Sequence, residues 1–219
     1  VDSATHLYLP VVLGTYRRRY PHVRVTLVQS TSSVVADGIA CGRLDVGLLR
    51  PTYGLSTLAL EEIGRDELVV ALPEDHPLSD HDAVSLQDLA HESFVLFPRT
   101  AAPELYATIF QLFDGLDFVP RITEEAHEGT TVASLVAAGL GVSVTTQGMG
   151  RRGVVYRPIR GQSASIAMCV GWRRASASLP ARAFVELARE ARASGGLTAD
   201  PAGPADGLKD ASVDRTHRT

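Results

Sequence analysis

The sequence is poor in cysteine, with only Cys41 and Cys169 among its 219 residues. They form no CxxC pattern, so their spacing indicates neither a cysteine-based zinc site nor a disulfide framework. This usage is typical of a reducing cytoplasm, and we expect both thiols to be buried as small apolar side chains. The sequence also lacks an apolar run of about 18 residues and a basic leader followed by an apolar stretch, so nothing indicates a membrane span or a secretion signal.

An excess of positive charge is missing as well. The formal net charge is −4 and the isoelectric point is near 6.0, whereas a nucleic-acid-binding surface is normally basic. The arginine clusters at 17–19, 151–152 and 173–174 are predicted to be solvated faces of helices or turns. With 45% hydrophobic and 21% charged residues, the chain is long enough to bury a core as one domain or two small ones.

Signatures of common enzyme classes are absent. The sequence contains no Walker motif, in which Gly-Lys precedes Ser or Thr, and no Gly-x-Ser-x-Gly elbow. His91-Glu92 and His127-Glu128 each begin like a zinc-protease motif, but neither has the second histidine three residues after the glutamate. We therefore predict no catalytic residue, no metal site and no cofactor.

The stretch "LVAAGLGVSVTT" places Gly139 and Gly141 between an apolar helix pattern and a β-branched strand pattern. A dinucleotide-binding fingerprint has GxGxxG after a strand and before a helix. Here the two glycines follow the helix, and the third glycine is missing. We predict that they permit a left-handed helix end and a close turn into the strand.

The first part of the chain alternates helix and strand patterns. "YLPVVLGTYRRRY" predicts a helix with Pro10 in its first turn, "VRVTLVQ" predicts a strand with one covered face, and "STSSVVADGIACG" predicts a helix that ends at Gly42. "LDVGLL" and "LVVAL" are continuously apolar, which predicts buried strands. This alternation is typical of a parallel α/β sheet.

The alternation starts again after Pro73. It predicts strands at "SFVLF", "VPRITEEA", "VSV" and "SIAMCVGW", and helices at "APELYATIFQLF", "GTTVASLVAAG" and "LPARAFVELAREARAS". From Gly195 onward the composition turns to Gly, Ala, Pro, Asp and Ser. Such a segment buries too little apolar surface to offset its ordering entropy, so residues 196–219 are predicted to be disordered.

Five segments occur in an order and at distances that resemble one known family. They are "YLPVVLGTYRRRYPHVRVTL", "GIACGRLDVGLL", "LVVALPEDHPL", "SLQDLAHESFVLFPR" and "LVAAGLGVSV". Together they resemble the effector-binding (substrate-binding) domain of LysR-type transcriptional regulators, over about residues 1–193. The "FPR" after the "SFVL" strand is also similar to the branch that senses muconate, benzoate and related acids of aromatic catabolism.

The resemblance implies an α/β fold of two Rossmann-like subdomains joined by two crossover strands, similar to type II periplasmic binding proteins. Subdomain I would comprise residues 1–71 plus 168–195 and subdomain II residues 72–167, with crossovers near 70–73 and 164–168. In the family a strand, a linker helix and a winged helix-turn-helix domain come before the matching segment, and they are absent from this chain. We therefore expect a fragment of a longer regulator, in which the missing N-terminal domain binds promoter DNA.

In open α/β folds, ligands bind beyond the carboxyl ends of the strands, where helix N-termini favour anions. We expect a small carboxylate to bind there. The candidate effector-binding residues are Ser3, Thr31, Ser32, Arg50, Arg99, Thr100 and Thr130. Serine and threonine before a helix are also typical caps, and capping is the preferred role of Ser33 and Thr131. Thr145 and Thr146 stand where the family usually has an apolar residue and proline, which would add hydroxyls near the cleft.

Arg50 ends the "DVGLLR" strand, and Arg99 follows the "VLFP" strand. At the carboxyl end of a strand, a guanidinium can hold a carboxylate bidentately. The alternative for both residues is a surface ion pair, which contributes little to stability.

The resemblance implies a sensor domain and not an enzyme: a small organic acid binds between the subdomains and changes how the regulator acts on DNA. It also implies self-association, as a dimer and as a tetramer of the whole protein, through the "VVLGTYRRRY" helix with Tyr16 and Tyr20 exposed. No membrane partner is expected. Two alternatives stay open: a solute-binding protein of a transporter, and an enzyme such as a dehydratase. The enzyme would use titratable groups among Glu124, Glu125, His127 and Glu128.

Overall fold

A computed structural model describes residues 4–51, 56–147, 151–175, 178–195 and 197. The prediction of a disordered tail at 196–219 lies outside these residues, except at Leu197, whose side chain is buried. The candidate site residue Ser3 also lies outside them.

The helices form where the sequence pattern predicts them. They are α1 Leu9–Arg19, α2 Ser32–Ala40, α3 Pro103–Gln111, α4 Gly129–Ala137 and α5 Leu179–Ala193. A π-helical turn, Ala4–Tyr8, leads into α1, and a 3-10 turn spans Leu86–Leu89. Proline stands in the first two positions of α1, α3 and α5, where its missing N–H has no intrahelical partner to lose.

The strands are β1 Val46–Leu49, β2 Leu58–Pro73, β3 Ser93–Leu96, β4 Arg121–Glu125, β5 Ser143–Thr146, β6 Val154–Pro158 and β7 Ser165–Arg173. β2 is much longer than its predicted part, "LVVAL". It pairs with β7 from Leu58 to Glu67, and with β5 and β6 from Leu68 onward. One strand therefore runs through two sheet regions, and β7 returns beside its first half.

The hydrophobic core is divided along β2. Ile63 packs with Tyr8, Val12, Met168 and residues of α5. Leu68 begins a second core, which includes Phe94, Leu105 and Val144 among its members. This division agrees with the predicted α/β fold of two subdomains joined by crossover strands.

Parallel pairing is less extensive than the alternation of elements predicts. Within the described residues, β3 and β4 form a parallel ladder, and Phe94 forms a parallel bridge with Val142. The ladders of β2 with β5, β6 and β7, and of β1 with β7, are antiparallel. The two long strands that cross between the subdomains run in opposite directions, which produces this mixture.

The predicted strand "VRVTLVQ" is not a strand. Residues 24–29 are exposed and belong to none of the described strands or ladders. Val25, Leu27 and Val28 leave 38%, 59% and 59% of their surface in solvent. An alternating pattern gives a strand only when a neighbouring strand pairs with it, and none of the described strands forms a ladder with these residues.

The predicted exposure of Tyr16 and the predicted burial of Cys41 were both wrong. Tyr16 is buried, because α1 packs on α5: its ring lies 5.6 Å from that of Phe184, and its hydroxyl donates to the Pro180 carbonyl at 3.0 Å. Cys41 is exposed at the end of α2, while Cys169 is buried as predicted. Burial raises the pKa of the Cys169 thiol to about 11, which keeps that thiol protonated and unreactive.

The glycines of the α4–β5 connection have the predicted structural role. Gly139 and Gly141 have φ values of +75° and +152°, which few L side chains adopt. A Cβ on Gly141 would lie 2.4 Å from the carbonyl oxygen of Ser93. Gly141 therefore lets the chain pass close to β3 as it enters β5.

Candidate functional site

Three helices begin at the wall of one cavity of about 370 Å³. Its wall is formed by residues 29–33 before and in α2, 100–105 at the start of α3, 127–129 at the start of α4 and 145–147 after β5, with Arg50 and Phe97. Residues 29–33 and Arg50 precede β2 in the chain, and the other wall segments follow it. Because the chain passes from one subdomain to the other along β2, the cavity lies between the two subdomains. A cleft of this size is typical of a site for a small molecule.

The N-terminal residues of these three helices do not cap them with side chains. In the described structure, the N-cap residues Thr31 and Glu128 make no side-chain capping hydrogen bond, and the N-cap residue of α3, Ala102, has no polar side chain that could make one. By contrast, Ser178 accepts one from the N–H of Ala181 at the start of α5, away from the cavity. Helix N-termini carry a partial positive charge, so three of them at one cavity favour an anion.

Four of the seven candidate residues line the cavity, namely Thr31, Ser32, Arg50 and Thr100. Arg99 and Thr130 are exposed and are not part of its described wall. Thr145 and Thr146 do line it, which agrees with the expectation that they add hydroxyls near the cleft. Serine and threonine at these positions supply both donors and acceptors to a ligand.

The preferred capping role of Ser33 and Thr131 was wrong. The N-cap residues are Thr31 and Glu128, which stand two and three positions earlier, respectively. The hydroxyls of Thr31 and Ser33 lie 3.1 Å apart and share a hydrogen bond. The Ser32 hydroxyl accepts from the backbone N–H of Arg50 at 3.0 Å, which joins the start of α2 to the end of β1.

Arg50 is held by a buried hydrogen-bond network. The alternative prediction for this residue, a surface ion pair, was therefore wrong. Arg50 and Asp66 are 6% and 1% exposed, and the Arg50 Nη2 lies 2.7 Å from Asp66 Oδ2. Arg50 also donates to the carbonyls of Ile166 and Ala167 on β7. The guanidinium charge beside the cavity is therefore already balanced by Asp66.

Tyr8 completes this network from the other side. Its hydroxyl donates to Asp66 Oδ1 at 2.6 Å. Burial and this hydrogen bond to a carboxylate raise the pKa of Tyr8 far above its ordinary value. Both oxygens of Asp66 are thereby satisfied, as a buried carboxylate requires.

Titratable groups also line the cavity, and Glu104 is one that the sequence patterns did not single out. Glu104 stands in the first turn of α3, while His127 and Glu128 stand at the start of α4. Glu124 and Glu125, the other residues of the proposed enzymatic cluster, are exposed on β4 and are not part of the described wall. An acidic residue in a first turn is common for electrostatic reasons alone, so the sequence held no signal for the cavity role of Glu104.

Other kinds of site find no support in the described part of the chain. It contains no group of three or more His, Cys, Asp or Glu side chains placed to hold a metal ion. None of its helices has the length and apolar character needed to span a bilayer.

The comparison with known families decides the assignment. A family model described as the LysR substrate binding domain matches residues 1–193. The chain belongs to this family. The expectation from the five ordered segments is confirmed.

Curated relatives of this LysR domain are transcriptional regulators rather than transporter proteins. It is 33% identical over 143 residues to the HTH-type transcriptional regulator AlsR of Bacillus subtilis, over 65% of this chain and 47% of that protein. It is 30% identical over 197 residues to the Hca operon transcriptional activator HcaR of Escherichia coli, over 89% of this chain and 67% of that protein. The chain spans about half the length of relatives such as AlsR.

Among solved structures, the LysR domain is similar to the BenM effector binding domain with its effector benzoate. BenM is a regulator of Acinetobacter baylyi. The TM-score is 0.76 at 24% identity, and the likeness covers 94% of this chain and 96% of the BenM domain. At this identity the likeness shows the fold, which is that of an effector-binding domain.

Proposed function

We propose that the chain is the effector-binding sensor of a LysR-type transcriptional regulator and that it binds a small organic acid in the cavity between its subdomains. The observation that carries this proposal is the convergence on one cavity of the N-termini of α2, α3 and α4, whose N-cap side chains make no capping hydrogen bond. A carboxylate placed there receives N–H groups and the positive ends of three helix dipoles. The benzoate held by BenM is an acid of suitable size.

The ligand contacts that we propose are those of Thr31, Ser32 and Thr100, with Arg50 in the wall behind them. Ser3 and the exposed residues Arg99 and Thr130 were predicted for the same role, and they remain predictions. Ser32 is bonded to the backbone of Arg50, which in turn contacts Asp66 and β7. A ligand bound to Ser32 is thus linked, through Arg50 alone, to β2 and to β7, the two strands that connect the subdomains.

We propose that binding changes the angle between subdomain I, residues 1–71 plus 168–195, and subdomain II, residues 72–167. A ligand shifts such an equilibrium only by its difference in affinity between the open and closed forms, and a coupling of about 1–3 kcal/mol is typical. Promoter DNA would be contacted by a winged helix-turn-helix domain outside this chain, as in the HTH regulators it resembles. The whole regulator would act as a homo-oligomer in the cytoplasm, without a membrane partner.

We propose binding without turnover, and therefore no cofactor. The alternative is an enzyme in which His127 and Glu128, both in the cavity wall, transfer protons to or from a bound ligand. Incubation of the purified chain with a bound acid, followed by proton NMR, separates the two. Unchanged ligand supports the sensor, and a product that disappears with His127→Ala supports the enzyme.

The direct test of the sensor is a thermal-shift measurement with benzoate, phthalate, succinate and malate, each beside its uncharged amide. A ligand at 100 times its Kd stabilises the fold by about 2.7 kcal/mol, and Tm in a domain of this size rises by about 2–4 °C per kcal/mol. We expect acids to raise Tm and amides to have little effect. Equal effects of acid and amide, or no effect of any acid, would contradict the proposal.

A further inference from the structure

Thr145 is the most deeply buried hydroxyl-bearing residue in the described wall of the cavity. It is 8% exposed, whereas the other serines and threonines of the wall, Thr146 among them, are half-buried or exposed. Thr145 stands near the end of β5, where it is paired in register with Val69 of β2. The sheet, and not a helix N-terminus, therefore fixes the position of this residue.

The Thr145 hydroxyl has no hydrogen-bond partner among the described residues. It is also not one of the unpaired polar atoms that are sealed from solvent. Because Thr145 belongs to the cavity wall, its oxygen is reached from the cavity. A hydroxyl can donate one hydrogen bond and accept two, and a buried polar group normally uses this capacity. The cavity thus contains a donor and acceptor that no described residue uses.

Ser143 provides a reference on the same strand. It lies two residues earlier and therefore on the same face of β5, it is 0% exposed, and its hydroxyl also has no partner in the described structure. That hydroxyl is sealed from solvent, however, and Ser143 is not part of the described wall. Of the two hydroxyls on this face, the one of Thr145 can bond to a molecule in the cavity and the one of Ser143 cannot.

The charges of the wall indicate which group Thr145 can bind. Arg50 is the one arginine or lysine among the wall residues described, and Asp66 balances its charge. A second anionic group placed at the buried Thr145 would lose its water without gaining a counter-charge. An uncharged oxygen, by contrast, is satisfied by a hydrogen bond to a single threonine hydroxyl.

We propose that Thr145 is the specificity-determining residue of the cavity and that its hydroxyl bonds to an uncharged oxygen of the effector, a hydroxyl or keto group. This inference rests on the proposed function and narrows its ligand class to small hydroxy and keto acids. A plain acid leaves the Thr145 hydroxyl without a ligand partner, whereas a hydroxy or keto acid supplies one.

The test uses three pairs of acids that differ in one uncharged oxygen: malate with succinate, 2-oxoglutarate with glutarate, and 3-hydroxybenzoate with 3-methylbenzoate. Isothermal titration measures the six Kd values. A hydrogen bond between uncharged groups corresponds to about 2- to 10-fold in Kd. We expect the oxygen-bearing member of at least one pair to bind more tightly than its partner by this factor.

Thr145→Val keeps the shape of the side chain and removes its hydroxyl, so it is expected to abolish that preference by weakening the oxygen-bearing member alone. Thr145→Ser keeps the hydroxyl and should keep the preference. Ser143→Ala removes the sealed hydroxyl on the same face and should leave all six Kd values unchanged. Without ligand, Thr145→Val should have a Tm equal to or above that of the wild type, because the lost hydroxyl bonds to no described residue.

The two levels of the proposal fail in different ways. If acids bind but no pair shows a preference, or if Thr145→Val keeps the preference, the inference about Thr145 is wrong and the sensor stands. A marked fall in Tm for Thr145→Val would show that the hydroxyl serves the fold, and would also overturn the inference. If none of the six compounds binds, the acid-binding function itself is wrong for these classes, and the inference falls with it.

Discussion

Arg50 and Asp66 form an ion pair that is almost completely buried, with Nη2 of Arg50 2.7 Å from Oδ2 of Asp66. Asp66 lies on β2 just before this strand changes its partner from β7 to β5 and β6. Arg50 follows β1, and its guanidinium also reaches carbonyls on β7. The pair therefore joins three strands at the junction of the subdomains.

Removing the carboxylate of this pair is expected to destabilise the fold strongly. Asp66→Ala leaves the Arg50 charge buried and unpaired, which costs about 3–5 kcal/mol in comparable cases. Chemical denaturation of the variant and the wild type measures the difference.

The matched control is the triple variant Tyr8→Phe with Arg50→Met and Asp66→Leu, because Tyr8→Phe also removes the buried hydroxyl that bonds to Asp66. Replacement of a buried ionic network by apolar groups is often neutral, so the triple variant should recover most of the lost free energy of unfolding. A loss below about 1 kcal/mol for Asp66→Ala, the range of surface pairs, would contradict the assignment.

Tyr8 makes stability sensitive to alkaline pH. In the folded chain, burial and the hydrogen bond to Asp66 raise the pKa of its phenol, whereas the unfolded chain loses this proton near pH 10. Above that pH the unfolded state binds fewer protons, so stability is present below about pH 10 and falls by up to about 1.4 kcal/mol per pH unit.

Urea unfolding at a series of pH values up to 11 measures this slope. Tyr8→Phe removes the titrating group and should give a shallower decline above pH 10. Tyr16 and Tyr156 also have raised pKa values because they are buried, so a residual slope is expected. Identical slopes for Tyr8→Phe and wild type would be evidence against the Tyr8 contribution.

The Glu61–Arg189 pair makes a smaller contribution at acidic pH. The hydrogen bond from Arg189, whose Nε lies 2.7 Å from Oε2, lowers the pKa of Glu61 below its ordinary value. The pair stabilises the fold above about pH 4.5, and this stabilisation is lost as the pH falls through the lower folded pKa. The side chains are 30% and 41% exposed, so we expect about 0–1 kcal/mol. Glu61→Gln should flatten the acid limb of the stability curve, and an unchanged limb would contradict this.

The Thr100 hydroxyl is expected to affect ligand binding more than stability, whereas Ser32→Ala should affect both, because the Ser32 hydroxyl also accepts from the Arg50 N–H. Ser32→Ala and Thr100→Ala each remove one possible hydrogen bond to a bound acid, which contributes about 0.5–1.5 kcal/mol, or up to about 10-fold in Kd. Thr131→Ala, an exposed position on α4 outside the described wall, is the control. Isothermal titration with an acid that raises Tm measures the three Kd values, and equal weakening by all three would argue against a cavity site.

The two glycines before β5 should differ in their tolerance of a side chain. Gly139→Ala places an L residue in the left-handed region, at about 1–2 kcal/mol, but meets no atom within 4 Å. Gly141→Ala adds a clash, because its Cβ would lie 2.4 Å from the Ser93 carbonyl oxygen. We expect a clearly larger loss of Tm for Gly141→Ala, and a smaller loss than for Gly139→Ala would show that the approach to β3 is not tight.

The helices could be predicted because their signals are local. Pro10 and Pro103 mark helix starts, Gly42 and Gly139 mark helix ends, and apolar residues recur with the helical period between them. The order of motifs gave the fold and the family, which the comparison with the LysR domain confirms. The hydroxyls of Ser32 and Thr100 could be placed at the cleft because helix starts and strand ends meet there.

The failures come from information that is not local. "VRVTLVQ" has the pattern of a strand but joins none of the described ladders, and the burial of Tyr16 depends on α5, more than 160 residues away. The partner of Arg50 is Asp66, in the polar first half of β2 that was not predicted as a strand. Glu104 has an ordinary place at a helix start, and only the cavity distinguishes it.

β2 also limits how this protein can vary in length during evolution. Both faces of its second half are buried, with Leu68, Val70 and Leu72 in one core and Val69 and Ala71 opposite them. Insertion of a single residue after Asp66 would exchange these two faces, because side chains alternate along a strand. The register of one half of β2 therefore determines which side chains of the other half face each core. We expect insertions and deletions among homologues to fall in the surface connections and to spare this one segment.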